Sequence, residues 1–181
     1  GDKMLEERFN GKKVCLLPSV RLGFYLTLKN LFKKGDELIF SSMSFPLYIK
    51  IAKQLELKVR LVDVFNDDLN INYTLIEKNI NNNTKGIVAT HLFGNPCEIE
   101  EIKKIGDKFN LKIIEDCAQS FDSYYNGKET GNFGDVGIFS TSLLKIPTSL
   151  SGGILITKDN DLKEKVDFWM KNNLKNNFKY D

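Results

Sequence analysis

Histidine and cysteine are scarce in this 181-residue sequence. It has one histidine, His91, and three cysteines, Cys15, Cys97 and Cys117, an odd number with no close pair and no CxxC. A structural zinc site built from Cys and His alone lacks its ligands, so no metal is expected. The scattered thiols fit a reducing, cytoplasmic setting better than a disulfide framework. No uninterrupted apolar run approaches the length of a membrane span. The start, residues 1–8, is charged and has no apolar segment of the kind a secretory signal carries. Net charge is only +2, from 26 basic and 24 acidic side chains, with the lysines scattered among carboxylates. Nothing in that pattern points to nucleic acid or to an acidic membrane surface. There is no internal repeat and no linker composition; the asparagine-rich patch at 79–83 reads as a loop.

What the sequence does have is an alternation of apolar runs and amphipathic stretches, in a chain long enough for one domain with its own core. Leu22, Tyr25, Leu28 and Phe32 recur at helical spacing, and Lys33, Lys34 and Gly35 close that helix. Residues 37–41 (ELIFS) read as a strand, and Pro46 opens a helix to about Leu55. Residues 58–64 alternate as a strand, 66–72 form a polar turn, and 74–80 read as a helix. Residues 86–92 read as a buried strand, 99–109 as an amphipathic helix and 111–115 as a strand. A glycine-rich loop at 127–134 precedes strands at 136–140 and 153–157. A helix at 161–171 follows, and 172–181, rich in Asn and Lys, reads as a mobile end. Strands alternating with helices predict an α/β fold with a mostly parallel sheet flanked by helices.

In such a sheet, ligands sit beyond the carboxyl ends of the strands. Four of those ends bring together an aromatic (Phe45), a histidine (His91), an acid (Asp116) and, five residues past Ser140, a lysine (Lys145). An acid at the edge of a core needs a cationic partner, and a protonated pyridine nitrogen would serve; the same residue type is common as a helix N-cap or surface acid. Lys145 lies in an otherwise uncharged stretch (139–151); a lysine in an apolar pocket has its pKa lowered and can form a Schiff base, or it can snorkel to water. Phe45 could stack on a cofactor ring or belong to the core. His91 could meet a cofactor or be a satisfied structural histidine. Ser19, Ser140 and the backbone N–H groups near 20–22 could hold a phosphate at a helix N-terminus, with Ser19 equally a plain N-cap.

The order and spacing of these residues carry a resemblance. Residues 35–45 are similar to a Gly-Asp-Glu-Val/Ile-Ile step followed by a Ser-x-Thr/Ser-aromatic turn. Residues 91–96 match a His-Leu-Tyr/Phe-Gly-x-Pro turn. Residues 114–119 carry Ile-Glu-Asp-x-Ala-Gln, and residues 131–140 carry Gly-x-x-Gly-Asp-x-x-x-Phe-Ser. With Lys145 and the Gly-Gly strand at 152–156, the chain resembles the DegT/DnrJ/EryC1/StrS sugar aminotransferases over residues 16–173. These belong to the fold-type I enzymes that use pyridoxal 5'-phosphate (PLP).

The resemblance implies a PLP-dependent transferase large domain spanning 1–181, without the relatives' N-terminal arm and small C-terminal domain. It implies Lys145 as the Schiff-base lysine, Asp116 opposite the pyridinium nitrogen and Gln119 near the ring's 3-hydroxyl. Phe45 would stack on the ring, His91 would lie near it, and Ser140 with Ser19, Val20 and Arg21 would hold the phosphate. Asn172, matching loosely an Arg-Asn-His-Gly segment, would reach the cofactor of a partner subunit. Two departures stand out: Val20-Arg21 replaces a Gly-Thr pair at the phosphate turn, and Leu143-Leu144 replaces Pro-Thr before the lysine. The implied activity moves an amino group from a donor, glutamate by resemblance, to a keto group on a nucleotide-linked sugar, in a homodimer. The alternative is a truncated or degenerate homologue that binds PLP or a partner without turnover. In relatives that act as sugar dehydratases, histidine replaces the lysine, and Lys145 points away from that reaction.

Overall fold

Three strands of this protein are buried at every residue, which requires cover on both faces of the sheet. A computed structural model describes residues 2–141 and 152–174. Its main sheet has seven strands: β1 (Lys13–Leu17), β2 (Glu37–Ser41), β3 (Lys58–Val62), β4 (Thr84–Thr90), β5 (Lys112–Asp116), β8 (Val136–Ser140) and β9 (Gly153–Thr157). Their spatial order is β1-β9-β8-β5-β4-β2-β3. Pairings from β3 through β8 are parallel, whereas β9 runs antiparallel to both β8 and β1. The carboxyl ends of β1, β2, β4, β5 and β8 therefore share one edge with the amino end of β9. Strands β6 (Tyr124–Tyr125) and β7 (Lys128–Glu129) form a separate small hairpin.

Successive strand residues face opposite cores, as the period of two demands. On one face Phe40, Val88, Ile114 and Ile138 pack with Phe24 and Leu28 of α2 (Val20–Leu31), Tyr48 and Ile51 of α3 (Pro46–Gln54) and Val166 of α5 (Asn160–Leu174). On the other, Ile39, Ile87, Ala89 and Ile113 pack with Ile99, Ile102 and Ile105 of α4 (Ile99–Phe109). The three-residue spacing of those isoleucines is the apolar stripe of an amphipathic helix. Helix α4 ends at Asn110, which adopts the left-handed conformation that Asn tolerates at a C-cap. Among the described residues, no helix is long and apolar enough to cross a membrane.

The expected α/β architecture and most of its elements are present, with four differences. The expected helix at 74–80 is two short 3-10 turns, Tyr73–Leu75 and Glu77–Asn79. Asn72 caps the first through the Thr74 N–H at 3.1 Å, and only Ile76 of the segment is fully buried, too narrow an apolar face to hold a longer helix. The glycine-rich loop contains β7, joined to β6 by Asn126-Gly127, both at positive φ, the dipeptide that a tight hairpin favours. The final helix runs on to Leu174, where Asn172 and Asn173 each donate to the carbonyl four residues back. The N-terminal α1 (Asp2–Arg8) and β1 have no counterpart in the sequence reading. Strand β1 is an edge strand held by β9, a partner far along the chain, and its short KVCLL run carries no alternation to announce it.

Lys12, just before β1, is 1% exposed. Its Nζ donates to the carbonyls of Gly131 (2.8 Å) and Gly134 (2.9 Å), pinning the 131–134 turn beneath the sheet. Burial lowers its pKa to about 8, although Glu115 works the other way. An unfolded lysine titrates at about 10.4, so the unfolded chain binds more protons above pH 8 and stability rises with pH there. Between about pH 8 and 9 this rise should be visible in urea melts of the parent; it should be absent in Lys12→Met, which should also lose about 3 kcal/mol at pH 7 as two carbonyls lose their donor.

Candidate functional site

At the shared carboxyl edge lies a cavity of about 360 Å³, within the size range of small-molecule sites. Each side of it comes from a different element. Strand β1 runs through Pro18 into Ser19, whose Oγ accepts the Leu22 N–H at 3.2 Å and caps α2. The cap leaves Ser19, Val20 and Arg21 lining one end of the cavity, with the positive end of the α2 dipole directed there. Ser140, at the end of β8, and Gly152 line the same cavity. Gly153 permits this closeness: a Cβ there would come within 2.6 Å of the Val20 nitrogen.

Asp116 ends β5 and is 5% exposed. Its Oδ1 accepts the Ala118 N–H at 3.1 Å and the Tyr48 hydroxyl at 3.4 Å, so its orientation is set from two directions. Gln119, also lining the cavity, accepts the Phe93 N–H through Oε1 at 3.3 Å. That contact assigns the amide and turns its NH₂ into the donating end. Phe45, 56% exposed, stands at the mouth, edge-on to Tyr48. Seven of the expected residues thus meet around one cavity: Ser19, Val20, Arg21, Phe45, Asp116, Gln119 and Ser140. Lys145 lies outside the described residues.

His91 and Asn172 are not brought to the cavity. His91 is fully buried, with Nδ1 accepting the Cys97 N–H at 3.1 Å and Nε2 3.2 Å from Glu115 Oε2. Glu115 favours a charged ring, but a proton on Nδ1 would set donor against donor at Cys97. The neutral tautomer with its proton on Nε2 satisfies both contacts. Asn172 is exposed on α5 and donates to the Phe168 carbonyl at 2.9 Å. It lies on the last turns of α5, a helix that packs against α2, β1 and β9, and it does not line the cavity.

Two important residues have no role in the sequence reading: Tyr48 lies in no motif, and Glu115 lies within the 114–119 block without a role of its own. Tyr48 sits on the first turn of α3, and only the packing of that helix onto the sheet and α2 brings its hydroxyl to Asp116. Glu115 is buried completely beside Asp116 on the opposite face of β5. Its Oε1 accepts the N–H groups of Phe133 (2.8 Å) and Gly134 (2.5 Å), and its Oε2 that of Gly131 (2.7 Å) besides His91. His91, Glu115 and Cys117 converge within 4.8 Å, a spacing a metal could use. Both carboxylate oxygens and both imidazole nitrogens are already engaged, and burial pushes the Cys117 thiol up to about 11, so the cluster is a hydrogen-bond hub and not a ligand set.

Residues 12–179 match the model of the DegT/DnrJ/EryC1/StrS aminotransferase family. The chain belongs to this family. Among curated DegT/DnrJ/EryC1/StrS-like proteins, it is 36% identical over 132 residues to the GDP-perosamine synthase of Escherichia coli O157:H7, covering 73% of this chain and 36% of that one. Its fold matches Helicobacter pylori PseC, described as an aminotransferase involved in the biosynthesis of pseudoaminic acid, with a TM-score of 0.88 and 25% identity over 93% of this chain and 46% of that one. It equally matches the E. coli GDP-4-keto-6-deoxy-D-mannose-3-dehydratase with bound hydrated PLP, with a TM-score of 0.88, 26% identity, and coverage of 95% and 47%. The chain spans less than half the length of each of these relatives.

Burial alone would raise the Glu115 pKa, but the His91 contact, the backbone N–H groups and nearby Lys12 more than reverse it. A carboxyl held below its ordinary range contributes stability above the unfolded pKa and loses it as pH falls through the folded value. Glu115→Gln should therefore flatten the acid limb of the stability profile and cost about 3 kcal/mol at pH 7, since an amide turns donors toward N–H groups. Acid and urea titrations followed by circular dichroism measure both.

Proposed function

We propose that this chain is a PLP-binding large domain, residues 1–181, of an aminotransferase acting on a keto group of a nucleotide-linked sugar. The observation that carries this is the cavity itself. It has a phosphate-type end at a capped helix N-terminus, a buried carboxylate at depth and an aromatic ring at the mouth. A flat pyridine phosphate ester needs those three features, and the cavity is large enough to take one. The PLP seen in the dehydratase with the same fold supports the same choice of cofactor.

In this reading Ser19, Ser140, the Val20 and Arg21 backbone and the Arg21 guanidinium hold the phosphate. Arg21 supplies positive charge where the resembling motif has a small neutral pair. Asp116 keeps a proton on the pyridine nitrogen, and its two fixed donors hold the carboxylate in place. Gln119 donates from its NH₂ end toward the ring's oxygen substituent, and Phe45 covers one ring face. When bound, PLP supplies an electron sink that makes the substrate carbon acidic. Lys145 carries the amine that attaches the cofactor and then moves the proton. His91 acts at one remove: it steadies Glu115, whose neighbour on β5 is Asp116.

Lys145 also separates the transferase reading from the dehydratase one, because the resembling dehydratases have histidine there. Incubation with PLP should give a visible absorption band that borohydride bleaches. Peptide mass spectrometry should find the reduced adduct on Lys145, and Lys145→Ala should lose it while keeping its circular dichroism. An adduct on another lysine, or a chain that PLP cannot colour, overturns the proposal.

The proposal extends to a homodimer in a cytoplasmic setting, with glutamate as amino donor and Asn172 reaching toward the partner's site. Phe93, 73% exposed beside the cavity, and Phe168, 71% exposed on α5, are apolar surface that association would cover. Light scattering with PLP should return twice the chain mass across a concentration series. A monomer that binds one PLP per chain would exclude a shared site.

A further inference from the structure

We infer that Tyr48 is a positioning residue for the cofactor's ring nitrogen, acting through Asp116; the inference rests on the PLP reading above. The hydroxyl of Tyr48 lies 3.4 Å from Asp116 Oδ1, and the side chain lines the cavity although only 2% of the residue is exposed. Two rings hold it. Phe24 stacks on it with centroids 4.1 Å apart and planes 20° apart, and Phe45 meets it edge-on at 5.8 Å. The phenol therefore cannot swing away to water, and its oxygen is presented at one place on the carboxylate. The contact is at the long end of hydrogen-bond range, as is common for site contacts before a ligand is bound.

The donor never titrates away. Burial, then the charge of Asp116 and the hydrogen bond to it, push the Tyr48 phenol well above its ordinary pKa. At any working pH it is an O–H donating to Asp116. A carboxylate that accepts a hydrogen bond is less basic than one that does not, because the donor stabilises the charged form. A less basic Asp116 pulls less on the proton it shares with a pyridine nitrogen, and the proton stays on the ring. Tyr48 thus biases the shared proton toward the ring, where it keeps the ring an acceptor of electrons. It touches neither substrate nor ring in this argument; it acts on Asp116. The Ala118 N–H does part of the same work from the other side, at 3.1 Å, but a backbone donor cannot be tuned by substitution. Tyr48 is the adjustable one.

The test loads the parent and Tyr48→Phe with PLP carrying ¹⁵N in its ring. Phenylalanine keeps the stack with Phe24 and removes only the hydroxyl. The ring ¹⁵N resonance of the variant should move toward that of unprotonated pyridine, and the PLP dissociation constant should rise about ten-fold, the lower end of what one hydrogen bond to a charged group is worth. Tyr48→3-fluorotyrosine, a stronger donor of nearly the same shape, should move the resonance the opposite way, and it keeps the inference open to test if Tyr48→Phe does not fold. A resonance unchanged in the folded variants overturns the inference, whatever happens to affinity, because a merely structural tyrosine would leave the proton where it was. A parent that takes up no PLP overturns the functional reading and this inference together. A parent that binds PLP with variants of parental resonance overturns this inference alone.

Discussion

The placing of two adjacent carboxylates at the end of β5 governs the rest of this molecule. Glu115 and Asp116 follow one another on a strand, so their side chains leave on opposite faces. Glu115 goes into the interior, fully buried, where an unpaired charge would cost several kcal/mol. The 131–134 turn is wrapped around it and gives it three N–H groups, while Lys12 holds the same turn through two carbonyls. With that charge satisfied, β5 is locked in register between β4 and β8. Asp116 is then presented, nearly buried, to the cavity on the other face.

The second constraint is the direction of β9. It is the one described strand of the main sheet running opposite to all the others, so its first residues arrive at the edge where the others end. Gly153 brings the chain against the Ser19-Val20 turn, closer than any side chain would allow. The N-terminus of α2 and the end of β8 are drawn together by that contact. A site for an anion follows from topology together with one residue that has no side chain.

Recruitment of side chains to the cavity and their commitment elsewhere are decided by saturation. Gln119 is half-committed, with its oxygen bound to Phe93 and its amine the donating end. His91 is wholly committed, with both nitrogens engaged in the interior, so it supports the site from behind. Tyr48 reverses the usual case: it is buried among aromatic rings on most of its surface, yet its polar atom is the part directed at the site.

By itself the sequence determined the α/β class, the bounds of β2, β8, β9 and α4, and the likeness of the 114–119 and 131–140 blocks to one family. Those are properties of local pattern: apolar runs, helical spacing and short motifs held within a few residues. Seven of the residues it named line one cavity, and those at or just past strand ends do so because strand ends in a parallel sheet share an edge whatever the details of packing. What it could not determine was anything made by partners distant in the chain. Strand β1 exists through β9, more than a hundred residues away, and its own five residues carry no signal. Helix 74–80 was expected from spacing, but its burial against the rest of the fold is too slight to extend two short turns. His91 follows a strand end as a site residue should, and only the position of Glu115 and Cys97 shows that it faces inward. Tyr48 reads as one aromatic in an ordinary helix until α3 is laid on the sheet. Side-chain direction depends on how helices sit on the sheet, and that is decided by the whole core at once.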